Sequence, residues 1–104
     1  MSRIDKLKEF LLADPNDPFV RHALALEYMK LGDIAAARKE WEELLAHDPE
    51  AVGSYYHLGK LLEGVGEVAP ALAWYERGMA VARAAGEQRA YNELRSAYDE
   101  LSEE

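Results

Sequence analysis

Two copies of one pattern, offset by 34 positions, dominate this chain. Leu58, Gly59, Leu62, Gly66, Ala71 and Tyr75 stand in the second copy, and Leu24, Ala25, Tyr28, Gly32, Ala37 and Trp41 in the first. A large–small–large set, a glycine, then a small–aromatic pair reads as two short helices meeting at a turn. A fixed period of this length marks an architecture built from one repeated supersecondary unit. Such a unit cannot bury its own apolar face, so neighbouring units and end caps must cover it. Alternation of period two is absent over any useful length, and no strand is predicted. The fold class that follows is all-α.

The punctuation of the chain sets the boundaries. Ile4, Leu7, Phe10 and Leu11 recur at helical spacing, and Asp14-Pro15 ends that helix because the residue before proline avoids the α region. Asp17 is placed to cap the next helix, with Pro18 as its first residue. That helix runs to about Leu31 with Leu24, Ala25, Tyr28 and Leu31 as its buried stripe, and Gly32 releases it. Asp33 caps a third helix through His47, with Ala37, Trp41, Leu44 and Leu45 inward. The fourth spans Ala51 or Val52 to Gly64. The fifth starts near Glu67 and, with no proline to stop it, runs to about Ala85, where Gly86 ends it. The sixth places Tyr91, Leu94, Tyr98 and Leu101 on one face.

Composition narrows the function. Of 104 residues, 20 are acidic and 12 basic, a formal charge of -8. That argues against nucleic acid or an anionic membrane as partner, since both are bound through Lys and Arg neutralising phosphates. There is no cysteine, hence no disulfide, thiolate zinc site or thiol nucleophile. The first fourteen residues lack a secretory pattern, and nowhere do 18 apolar residues run together. A cytoplasmic location is the expectation. Ser54 and Ser96 lack a Gly-x-Ser-x-Gly context, glycines show no phosphate-loop spacing, and two histidines, His22 and His57, make a poor zinc site without a third ligand. No cofactor, no metal and no catalytic residue are expected. Pairs four apart, such as Arg38 with Glu42 and Lys39 with Glu43, account for much of the charge as support for exposed helix faces.

On the 34-residue pattern just described, the chain resembles the tetratricopeptide repeat family. The resemblance covers nearly the whole chain as a single domain: a half repeat at 1–15, full repeats at 18–51 and 52–85, and a capping helix at 87–102. Leu7, Phe10, Leu11 and Asp14-Pro15 lie 34 before Trp41, Leu44, Leu45 and Asp48-Pro49. The second repeat lacks the closing proline, and Gly78 stands where alanine is usual. The resemblance implies antiparallel helix pairs stacked as a short right-handed superhelix, whose concave side binds a protein or peptide.

In that family the first helix of each unit lines the groove. The matching outward positions include Phe19, His22, Leu26 and Met29 in the first repeat, Tyr56 and Lys60 in the second, and Arg89 and Asn92 on the last helix. These eight are the candidate peptide-binding residues. Phe19, Leu26, Met29 and Tyr56 are apolar where a bare scaffold would be polar. Some family members hold a C-terminal carboxylate with Lys, Asn, Asn, Lys and Arg on these helices. Here His22, Leu26 and His57 replace the Lys and two Asn, Glu93 replaces the Arg, and only Arg89 fits, so a ligand held by its carboxylate end is disfavoured. The function implied is a non-catalytic interaction module, monomeric or weakly dimeric. The alternative is an assembly unit that self-associates through its helix edges.

The last helix is read as a lid on the one before it. Truncation after Gly86 is expected to give aggregation or dimers, detected by light scattering, because the apolar face of the fifth helix would be left bare.

Overall fold

Ser2 opens the first helix by accepting from the Asp5 amide at 3.1 Å. The computed structural model describes residues 2–103, and six α-helices account for nearly all of them. Helices α1 (Arg3–Ala13), α2 (Pro18–Lys30) and α3 (Ile34–His47) form one compact unit. Helices α4 (Val52–Gly64), α5 (Val68–Ala85) and α6 (Gln88–Ser102) form a second. No strand occurs among the described residues. The fold is an all-α helical repeat, and each helix lies within a residue or two of the bounds its caps predict.

One turn recurs three times. Gly32, Gly66 and Gly86 take φ of 77°, 83° and 72°, a left-handed conformation that a Cβ would strain. At each, two backbone N–H groups close back on the helix just ended. Gly32 N–H donates to the Met29 carbonyl and Asp33 N–H to that of Tyr28, at 3.0 and 2.9 Å. Gly66 and Glu67 repeat this with Glu63 and Leu62, and Gly86 and Glu87 with Arg83 and Ala82. This is the Schellman arrangement, which satisfies the last carbonyls without any side chain. The other breaks use aspartate and proline. The Asp17 carboxylate accepts from the Phe19 and Val20 amides at 3.0 and 3.3 Å, which fixes the start of α2.

In the first unit the core is Leu24, Ala25, Ala37 and Trp41, with Leu44 and Leu45 also buried. The Trp41 indole Nε1–H donates to His22 Nδ1 at 3.0 Å, so His22 turns inward to complete the core. Arg21 brackets the unit. Its guanidinium reaches Glu40 at 2.7 Å and Glu43 at 2.9 Å, and its Nε–H donates to the Pro15 carbonyl at 3.0 Å. Periodicity on α3 pairs Glu43 with Lys39; the structure gives Glu43 to Arg21 across the helix pair. Arg38 and Glu42 pair as their spacing predicts, at 3.3 Å. Two apolar positions depart from the expected stripes. Leu31 is 71% exposed, because the helix has ended at Lys30 and the chain is already turning toward Gly32. Phe10 is 60% exposed and Leu7 is the only fully buried residue of α1, since α1 meets α2 along a narrow line.

The second unit packs three helices on one another. Gly59 lies directly under the Tyr75 ring, where any Cβ would fall inside the ring's van der Waals envelope. Gly78 does the same service on α5: a Cβ there would stand 2.6 Å from Tyr55 Cβ and 3.0 Å from Leu94 Cδ1. Thus α4, α5 and α6 meet at a point where a side chain is missing. The α6 stripe is Leu94, Ala97 and Leu101, with the two tyrosines at its edges rather than in its centre. The Tyr91 hydroxyl accepts from Arg83 at 2.8 Å, and the Tyr98 hydroxyl donates to Glu76 at 3.1 Å. Both rings are tied to α5 through their polar ends, as aromatic residues at a core margin usually are.

Gly59→Leu and Gly78→Ala should each lower stability by about 1–3 kcal/mol through overpacking. Gly53→Ala meets nothing within 4 Å and should leave stability unchanged or raise it by up to about 1 kcal/mol. Urea melts of the three variants check both signs.

Candidate functional site

A concavity of the second unit lies between the first turns of α4 and α6. Val52, Gly53, Tyr56 and His57 form one wall, at the i, i+1, i+4, i+5 spacing that keeps side chains on one helix face. Glu87, Gln88, Arg89, Ala90, Glu93 and Leu94 form the other. The space between is about 550 Å³. Val52 and Leu94 are buried and make an apolar floor, while the α6 rim carries charge.

Tyr56 is the aromatic residue of this groove, half-buried and held from several sides. Its ring lies 6.0 Å from that of His57, edge on, and 6.5 Å from that of Tyr75. Lys60 Nζ stands 5.9 Å from the ring centroid and 3.6 Å from Glu63. Glu63 in turn accepts the Tyr75 hydroxyl at 3.0 Å. Burial, and then the neighbouring Glu63 carboxylate, push the Tyr75 phenol far above its ordinary range, so it stays a protonated donor. On α6, Arg89 Nε is 3.8 Å from Glu93, and Gln88 Nε2–H donates to Asn92 Oδ1 at 2.9 Å.

Of the eight candidate residues, the groove brings together Tyr56 and Arg89. Lys60 sits one turn beyond Tyr56, against its ring, and Asn92 points to Gln88 outside the groove lining. The remaining four lie on α2 in the first unit. Leu26 and Met29 line a shallow depression of about 430 Å³ with Arg3, Ala23, Glu27 and Lys30, where Arg3 is 3.0 Å from Glu27. Phe19 is 84% exposed, and His22 serves Trp41. Glu87, Gln88 and Ala90 were not among the expected groove residues. The most outward positions of a helix do not wall a groove; the positions that flank its buried stripe on the side of the neighbouring helix do. The pairing of Ala90 with Leu94, four apart, is the sequence signal for that side. Among the described residues no three His, Cys, Asp or Glu side chains gather as a metal site, and no helix is long and apolar enough to cross a membrane.

A family model described as tetratricopeptide repeat matches residues 22–91. The chain belongs to the tetratricopeptide repeat family. Members of this family generally present an interaction surface rather than an active site. A tetratricopeptide repeat domain protein from Salinibacter ruber, solved in solution, is 43% identical, with a TM-score of 0.80 over 85% of this chain and 89% of that one. A TPR repeat-containing protein of Pseudomonas aeruginosa is 26% identical over 91 residues, covering 88% of this chain and 87% of its own length. The first tetratricopeptide repeat domain of Spaghetti, solved with the HSP90 peptide SRMEEVD bound, is 25% identical, with a TM-score of 0.74 over 95% of this chain and 77% of that one.

His57 gives this wall a pH signature. Burial disfavours its imidazolium and holds its pKa below the ordinary 6.5. As pH falls through 6.5, the unfolded chain takes up the proton first. Stability is therefore lost on the acid side, down to the folded pKa, and is unaffected by this group above the ordinary value. The melting temperature of the parent should fall more steeply between about pH 7 and pH 5.5 than that of His57→Gln. Equal slopes would show that the ring is solvated.

Proposed function

We propose that this chain is a non-catalytic interaction module that holds a peptide segment of a partner protein between α4 and α6. The observation that carries this reading is Tyr56. Its ring packs beside those of His57 and Tyr75 with Lys60 over it, yet it walls an open groove with a buried apolar floor. A ring already packed in this way loses little entropy on meeting a ligand, and aromatic anchors dominate interfaces of this kind. The peptide-bound Spaghetti domain supports a peptide as the class of ligand for such a fold. Within the first unit, Leu26 and Met29 of α2 line an apolar depression of their own, and methionine adapts to varied partner shapes. Affinity should be modest, because the groove is small and an ordering segment loses entropy.

Self-association is the second reading. Phe10 and Leu12 on α1 and Phe19 at the start of α2 are exposed in the first unit, and such side chains favour a contact between copies.

A partner captured by the full chain should bind Tyr56→Ala with a loss of about 2 kcal/mol or more, measured below the melting transition of the variant so that only folded protein is compared. Met29→Ala should weaken it less. Undiminished binding by both would move the interface to another face. A concentration-dependent dimer in light scattering, abolished by Phe19→Ser, would favour the second reading.

A further inference from the structure

We propose that the segment seated between α4 and α6 is basic: an apolar anchor with a Lys or Arg on either side of it. This rests on the groove reading above and adds the chemistry of the partner.

The rim decides the sign. Three charged groups line the groove, Glu87, Arg89 and Glu93. Arg89 meets Glu93 only at 3.8 Å, between side chains that are 96% and 57% exposed, so it is easily displaced. Glu87 occupies the cap position of α6 but makes no side-chain cap bond, and among the described residues no ion pair to it is found. Of the other nearby cations, Lys60 is engaged by Glu63 and the Tyr56 ring, while Arg83 and Arg95, which line the next depression with Glu87, turn to the Tyr91 hydroxyl and, for Arg95, to Asp99. Arg89 and Glu93 offset one another across a loose pair, and Glu87 is left over, so the rim carries a net negative charge. The surroundings reinforce this: residues 50–104 carry ten Asp and Glu against five Lys and Arg. An acidic peptide such as the SRMEEVD held by the Spaghetti domain would bring carboxylates against Glu87 and Glu93, and like charges in contact repel.

Spacing follows from helix geometry. Glu87 and Glu93 are six residues apart, a rise of about 9 Å along α6. An extended segment covers that distance in about three residues. The two cations should thus stand about three positions apart, with the apolar anchor between them lying on Val52, Tyr56 and Leu94. Arg89 then acts as an internal competitor for Glu93, not as a ligand contact.

The test is selection of a random peptide display library on the immobilised full chain, followed by fluorescence anisotropy of the enriched peptides. Enriched sequences should carry Lys or Arg about three apart around a Leu, Met or aromatic residue, and bind more weakly as salt rises. The double variant Glu87→Gln/Glu93→Gln should weaken them roughly 3- to 10-fold, as two exposed ion pairs would. Arg89→Ala should strengthen them about 2-fold or more by freeing Glu93, and Tyr56→Ala should weaken them 10-fold or more. Acidic or neutral peptides that need Tyr56 would overturn the basic segment while leaving the groove in place, as would indifference to the glutamine double variant or weaker binding by Arg89→Ala. Peptides indifferent to Tyr56→Ala, or a selection that enriches nothing, would overturn the groove reading and this one together.

Discussion

The second unit depends on one absent side chain. With no Cβ at Gly59, α4 settles against the flat of the Tyr75 ring, closer than any other residue would permit. That approach brings Tyr55 onto Gly78, and Gly78 is bare enough that Leu94 of α6 reaches the same point. The distance between α4 and α6 is therefore set by Gly59 on α4 and Gly78 on α5, the helix both pack against. The groove is the space left between them, so its width is a property of the core beneath it. Tyr75 also hands its hydroxyl to Glu63, which holds Lys60 beside Tyr56. The core aromatic and the groove aromatic are consecutive members of one contact chain.

Much of this was legible from residue spacing. Glycines at 32, 66 and 86 end helices by backbone hydrogen bonds alone, so their meaning does not depend on surroundings. Small residues at Ala25, Ala37, Gly59 and Ala71 mark close helix approach because nothing else explains a small residue in the middle of an apolar stripe. What escaped the sequence lies between helices rather than along one. Arg21 reads as an ordinary charged helix position, and its triple engagement with Pro15, Glu40 and Glu43 becomes visible only when α2 and α3 are side by side. His22 has the spacing of an outward residue but finds the Trp41 indole. Leu31 has the spacing of an inward one but falls where the helix has stopped. Gly78 looked like a departure from the family pattern, and proves to be the place where three helices meet.

The site was half legible for the same reason. Tyr56 and Arg89 both line the concavity between α4 and α6. Glu87 was not legible, because its presence in the lining depends on where α6 begins relative to α4, and the longer α5 shifts that start. Groove shape is inherited with the family geometry, while rim charge is set by a few exposed residues that the core does not constrain.

The Arg21 bracket has a kinetic consequence. The turn between α1 and α2 is held by the Asp14 and Asp17 side chains and by the Arg21 guanidinium, which also engages Glu40 and Glu43. For the turn at Pro15 to peel away, Arg21 must release its hold there while both glutamates on α3 keep it in place. The turn can therefore flicker without disturbing α3, but α3 cannot leave without dragging the guanidinium off Pro15 or abandoning it half-buried. Opening of this unit is ordered in one direction: a protease that finds the turn at Pro15 reports only local breathing, whereas exchange of the α3 amides reports loss of the whole bracket.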